Sequence, residues 1–202
     1  MRGARELIVA AALGAAAVTA CAEAESPVAE RAAATRAAPS AGSPSLRRPQ
    51  PLRVARPARL VIPSLGVSTR LETLGLLADG RLAPPRDPDR AGWWRGGPRP
   101  GRLGAAVIAG HVDSRSGPAV FARLGRLRRG DRIVVVDRAG RAIPFSVIRT
   151  EEHAKDRFPT QRVYGRTQGR ALRLITCSGA FDRASGHYRS NVVVFAAHQP
   201  AT

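Results

Sequence analysis

Two residues in this sequence have the types and positions to act as a nucleophile and its base. Cys177 closes the apolar run LRLITC and is followed by Ser178 and Gly179. Its thiol is therefore expected at the end of a β-strand beside a loop, where reactive groups can meet substrate. His111 closes a second apolar run, AAVIAGH, and opens the polar loop VDSRSG. A free thiol with an ordinary pKa of ~8.5 is mostly protonated at neutral pH, so a catalytic one needs a histidine or arginine nearby to favour the thiolate. Two strand ends carrying His and Cys can converge at one mouth of a barrel and share that work. Taken singly, a strand-end cysteine is most often a small buried hydrophobe and a lone histidine a loop residue. Spacing alone carries the reading no further.

The other cysteine, Cys21, belongs to a different segment. Arg2 and Arg5 precede an uncharged run from Leu7 to Ala22, and Glu23 and Glu25 end it. A positive start, a short apolar middle and small residues at the end describe an export signal over residues 1–21. The run is short against the ~20 apolar residues a bilayer span needs. Val18-Thr19-Ala20-Cys21 resembles the bacterial lipoprotein signal, which implies lipidation of Cys21 and a new N-terminus there. Two acyl chains anchor stably where one does not. The alternative is an uncleaved signal anchor; either way the rest of the chain is expected outside the cytoplasmic membrane, tethered to it. With Cys21 lipidated, Cys177 has no disulfide partner. A free thiol in an oxidising compartment is uncommon unless it is buried or used.

Composition bounds the remaining choices. A chain of 202 residues allows one ordinary domain plus a tail. At 44% hydrophobic it can fill a core, but it does not read as a membrane protein with several spans. Two cysteines exclude a disulfide scaffold. Against 15 acids stand 33 bases, a formal charge of +18, and every base but Lys155 is arginine, scattered through all segments. From residue 59 onward 25 bases face 11 acids, in keeping with work beside an anionic surface. A nucleic-acid face would need stacking aromatics, and the few present sit mostly inside apolar runs, so no nucleic-acid partner is expected.

Residues 22–57 are rich in Ala, Pro, Ser, Arg and Glu, with no aromatic residue, and read as a disordered stalk. From residue 58 to 198 short β-branched runs alternate with turn residues. Strands are expected at 59–62, 105–109, 132–136, 143–149, 171–176 and 191–197, with Asp137-Arg138-Ala139-Gly140 as a hairpin loop. Residues 92–104 read as a long turn-rich loop. Val120, Leu124 and Leu127 at helical spacing suggest one short helix over 119–128. Frequent strands and few helices argue for a closed or nearly closed all-β barrel.

Three blocks in order, RLVIPSLGV, PGRLGAAVIAGHVDSRSGPAVFARLGRLRRGD and ALRLITCSGAFDRASGHYRSNVVVFA, resemble the sortases, the cysteine transpeptidases of Gram-positive surfaces, and most closely their actinobacterial class F branch. The resemblance covers residues 58–198. It implies a closed barrel of about eight strands with one or two short helices; no cofactor is expected and, on this chain's own residues, no metal. It further implies that Cys177 attacks the threonine carbonyl of an LPxTG-like sorting signal on a surface protein, forms an acyl-thioester, and passes the acyl group to an amine of peptidoglycan or to water. His111 would be the acid/base, and an arginine would hold the peptide or the oxyanion. Arg189, just before the last strand, suits that role best, with Arg183 as the second choice. Thr176 and Asn191 would contact substrate. The family pattern has threonine four residues before the cysteine, where this chain has Arg173.

Other residues carry no assignment. Trp93 and Trp94 read as core and rim packing rather than cleft lining. His153, His187 and His198 lack metal-ligand spacing, and Glu151, Glu152 and Asp156 are too interleaved with Lys155 and Arg157 to hold calcium. The L,D-transpeptidases also join His, Cys and a β fold, but carry serine and glycine just before the cysteine, where this chain has Ile175 and Thr176. A non-catalytic basic wall-binding domain is the remaining alternative. The domain is expected to be monomeric.

Overall fold

Val, Ile and Leu at alternate positions give strands with one face to bury, and most of this domain is built from such segments. A computed structural model describes residues 54–200. Its strands are β1 (Pro57–Ile62), β2 (Val67–Leu74), β3 (Ala91–Trp94), β4 (Gly104–Gly110), β5 (Asp113–Ser114), β6 (Gly117–Pro118), β7 (Arg132–Asp137), β8 (Ala142–Ala154), β9 (Arg170–Asp182) and β10 (His187–His198). Eight close into a barrel in the order β1-β2-β3-β4-β9-β10-β8-β7, while β5 and β6 form a separate ribbon. Closure leaves no free edge to pair with another chain. The all-β closed barrel expected from the sequence is the observed fold.

The strand RIVVVD of β7 shows how the pattern works: Ile133, Val135 and Asp137 are buried and the residues between them are not. Leu60, Ile108, Phe145, Leu172 and Val194 meet Ile133 and Val135 inside the barrel. On β4, β9 and β10 the other face is apolar too. Val107, Ile175, Val193 and Phe195 form a second cluster there, covered by the short helix α1 (Thr160–Tyr164) through Val163. Strands buried on both faces read as continuous apolar runs.

The structure departs from the sequence reading at several elements. The segment 119–128 is not a helix but a series of turns with one 3-10 turn at Leu124–Arg126. Gly125 lowers its helix propensity by ~1 kcal/mol, and Phe121, Leu124 and Leu127 are instead spent on plugging the barrel. Three of the four residues of β3, Gly92 to Trp94, lie within the expected loop: Trp93 is buried with Nε1 donating to the Pro98 carbonyl at 3.1 Å. Trp94 packs edge-on against Tyr164. Val54 is already buried in the core, so packed structure begins inside the segment read as stalk. The export signal and Cys21 lie outside the described residues, among which no helix is long and apolar enough to cross a membrane.

One buried carboxylate ties the start of the domain to the β7–β8 hairpin. Asp137 accepts from the backbone N–H of Ala55, Ala139 and Arg141 and from the Arg141 guanidinium at 2.8 Å. Burial pushes its pKa up, but the hydrogen bonds from Arg141, Ala55 and Ala139 outweigh that and hold it below its ordinary value. A depressed folded pKa contributes stability that is present above the unfolded value of ~3.9 and is lost as pH falls through the folded one. Asp137→Asn is expected to cost about 2 kcal/mol at neutral pH. In denaturant melts repeated at falling pH, the gap between wild type and variant should close below about pH 4.

Candidate active site

The site is placed by two parallel strands. In the β4–β9 pair Ala109 partners Ile175, so two residues further on His111, just past the end of β4, stands level with Cys177, on strands ~4.8 Å apart. Cys177 lies inside β9, which runs on to Asp182, and not at the strand end read from the sequence, because the polar residues after it pair with β10. Between β4 and β9, Thr176 Oγ1 donates to the Gly110 carbonyl at 2.9 Å in a buried bond. Gly110 is needed there because a Cβ would come within 2.6 Å of Phe121 Cδ2. The chain therefore reaches His111 through a gap that fits only backbone.

His111 Nε2 lies 2.8 Å from the Pro85 carbonyl. A carbonyl can only accept, so Nε2 carries the proton and Nδ1 is the nitrogen able to take one. Cys177 is half-buried and unbridged. Across the antiparallel pairs Cys177 partners Asn191, which partners His153. Cross-strand partners share a face, so Cys177, Asn191 and His153 form one row, with Asn191 next to Cys177. Thr176 is buried at 4% exposure with its hydroxyl committed to Gly110.

Beyond Cys177 the β9–β10 hairpin continues as an arm. Gly179 sits at φ 75°, where register shifts so that Ser190 faces Ser178 while Tyr188 faces Phe181. This bulge leaves one residue, Arg189, opposite two. The Arg189 guanidinium is 71% exposed and 3.7 Å from the Asp182 carboxylate, so it lies along the arm. Arg183 lies in the turn at the tip. Tyr188 donates its hydroxyl to Asp113, joining the arm to the β5–β6 ribbon that follows His111. That hydrogen bond, some desolvation and the charges of Asp113 and Cys177 raise the Tyr188 pKa.

On the opposite side β8 ends at Ala154, facing Ser190, and passes into a 3-10 turn at Lys155–Arg157. From there Lys155 Nζ reaches to 3.6 Å from Cys177 Sγ. Sequence reasoning missed this contact, because 22 residues separate the pair and no motif links them. Its one available signal was that Lys155 is the only lysine.

A cationic cluster adjoins the row. Arg149, Arg162 and Arg173 surround the Phe195 ring at 4.2, 5.4 and 4.6 Å. Arg173, which stands where the family pattern has threonine, is thus absorbed by stacking. Desolvation and repulsion from Arg149 and Arg162 lower its pKa to about 10. Glu151 accepts from Arg149, His153 and Arg162; burial raises its pKa, but these bonds outweigh it and leave the value lowered. Among the described residues no group of three or more His, Cys, Asp or Glu gathers as a metal site. A cleft of about 910 Å³ lined by Arg126, Leu127, Glu152 and Val192 takes in neither Cys177 nor His111.

No curated protein matches the chain, but solved structures do. Sortase C-1 of Actinomyces oris has a TM-score of 0.55 at 21% identity, over 71% of this chain and 74% of that one. Sortase C1 of Streptococcus agalactiae has 0.57 at 17% identity, over 72% and 68%. Sortase A of Listeria monocytogenes has 0.53 at 19%, over 70% and 86%. The sequence model of the Sortase domain matches residues 60–199, most of the chain and all of the barrel except the first three residues of β1. With that match over a closed eight-stranded barrel, the chain belongs to the sortase family of cysteine transpeptidases.

Proposed function

We propose that this sortase is a membrane-tethered, extracytoplasmic enzyme of the class F type, acting on surface proteins that bear an LPxTG-like sorting signal. The observation that carries the reading is the parallel β4–β9 pair with its Thr176–Gly110 bond, which holds His111 and Cys177 side by side. The class assignment rests on the sequence blocks around His111, Cys177 and Arg189. The tether is Cys21, lipidated after removal of the signal, or else an uncleaved anchor.

In the reaction the Cys177 thiol gives its proton to His111 Nδ1, and the thiolate Sγ attacks the threonine carbonyl, its charge passing to the carbonyl oxygen. Collapse breaks the C–N bond, and His111 gives the leaving amine a proton through Nδ1. An amine of peptidoglycan, or water, then gives its proton to His111 and attacks the thioester, returning Cys177. Arg189 serves the peptide backbone or the oxyanion, exchanging its loose contact with Asp182 for the stronger charge-assisted bonds of a bound acyl group. Arg183, at the arm's tip, is the second choice. Asn191 offers an amide to the bound signal. Thr176 acts mainly as the brace between the two strands, since its hydroxyl is already used.

Mass spectrometry of the protein incubated with a library of LPxTG-type peptides should show an acyl adduct on Cys177 in wild type and none in Cys177→Ala. Salt-sensitive wall-polymer binding that survives Cys177→Ala, with no adduct from any peptide, would favour the non-catalytic reading. Thr176→Val should lower kcat about tenfold or more with KM little changed, because a slight misplacement of the pair is enough; initial rates over a peptide series measure this. For the anchor, intact mass should give an N-terminus at lipidated Cys21, and a mature protein that retains Arg2 would establish the uncleaved alternative.

A further inference from the structure

Among the described residues, the side chain in hydrogen-bond contact with the Cys177 thiol is that of Lys155, not a histidine or an arginine. We propose that Lys155 is a further catalytic residue of this enzyme, its ammonium pairing with Cys177 as the thiolate and favouring that form before attack. The proposal rests on the reading of Cys177 as nucleophile.

Four observations carry it. Lys155 Nζ lies 3.6 Å from Cys177 Sγ, the distance of an N–H···S contact. The 3-10 turn that bears it begins where β8 ends, at Ala154 opposite Ser190, so its origin is set by the barrel rather than by a free loop. The charge-bearing groups expected near the thiol make their contacts elsewhere in the structure: His111 Nε2 faces the Pro85 carbonyl, leaving Nδ1 to exchange the proton, and Arg189 lies beside Asp182. Finally, in a chain with 33 bases this is the one lysine. An ammonium is a compact point charge on a flexible stem, whereas guanidinium is a planar fork suited to two oxygens. A single sulfur anion is matched by the former.

The charge balance of the step is simple. As the S–C bond forms, the sulfur's negative charge moves to the carbonyl oxygen. The ammonium keeps its protons throughout and neither gains nor loses a bond. On deacylation the departing sulfur takes up charge again, and Lys155 meets it a second time. The effect of one unit charge at this range in water is about fivefold on the thiolate population.

The test is the rate at which iodoacetamide alkylates Cys177 in the full chain at neutral pH, followed peptide by peptide so that Cys21 does not enter. Lys155→Met, which keeps the stem and loses the charge, should react about fivefold more slowly than wild type. Lys155→Arg should recover most of the rate. The gap between wild type and Lys155→Met should narrow at about 1 M salt, where charges are screened within ~3 Å. Equal alkylation rates in wild type and Lys155→Met, or a gap indifferent to salt, would overturn the proposal. Alkylation needs no peptide, so the two readings fail separately. Lys155-dependent alkylation without any acyl adduct sinks the transpeptidase assignment and leaves the ion pair, and an adduct with Lys155-independent alkylation does the reverse.

Discussion

The parallel contact between β4 and β9 is the constraint on which the rest of this molecule depends. Parallel neighbours cannot be joined by a tight turn, so residues from opposite halves of the domain meet here only because the whole barrel closes. Once it closes, Ala109 stands beside Ile175, and His111 and Cys177 follow at one level, the first just past β4 and the second within β9. The buried Thr176 hydroxyl satisfies the last carbonyl before His111. An unpaired carbonyl there would cost about 1–3 kcal/mol, so the same bond that aligns the site also stabilises it.

Around this contact the surroundings are strongly positive. Phe195 is ringed by three guanidiniums with one carboxylate, Glu151, among them. Such a field is costly in the absence of anions but suits the thiolate and oxyanion of the proposed reaction. The cluster and Lys155 lie at different places on the same sheet face, so the field near the thiol is built from several elements.

How much of this was legible in the sequence depended on burial. The β-branched runs of β7, β8, β9 and β10 announced themselves, since both-face or alternate burial leaves an apolar pattern. In β2 the run VSTRLETL carries polar residues on its exposed positions, with only Thr69 and Leu74 buried, and no pattern survived to mark it. In β3 two tryptophans follow a glycine in a turn-rich stretch, and the strand is too short to show a period. Val120, Leu124 and Leu127 kept helical spacing because all three turn toward the barrel, yet no α-helix forms. His111 was readable because a strand end followed by a polar loop is visible locally. Cys177 was read as a strand end in the same way, but β9 runs on to Asp182 as an exposed arm whose polar residues carry no strand pattern. Lys155 was not, because its contact arises from how β8 and β9 are brought round β10, which no local pattern encodes.

The central claim is that Cys177 and His111 work as one pair held by the β4–β9 contact. Single-turnover kinetics with a cleavable sorting peptide test it most directly, following release of the C-terminal fragment and mass at Cys177 together. The account predicts a stoichiometric burst of fragment that coincides with thioester on Cys177 in wild type, with both suppressed in His111→Gln. Fragment release without mass on Cys177, or a burst undiminished in His111→Gln, would contradict it.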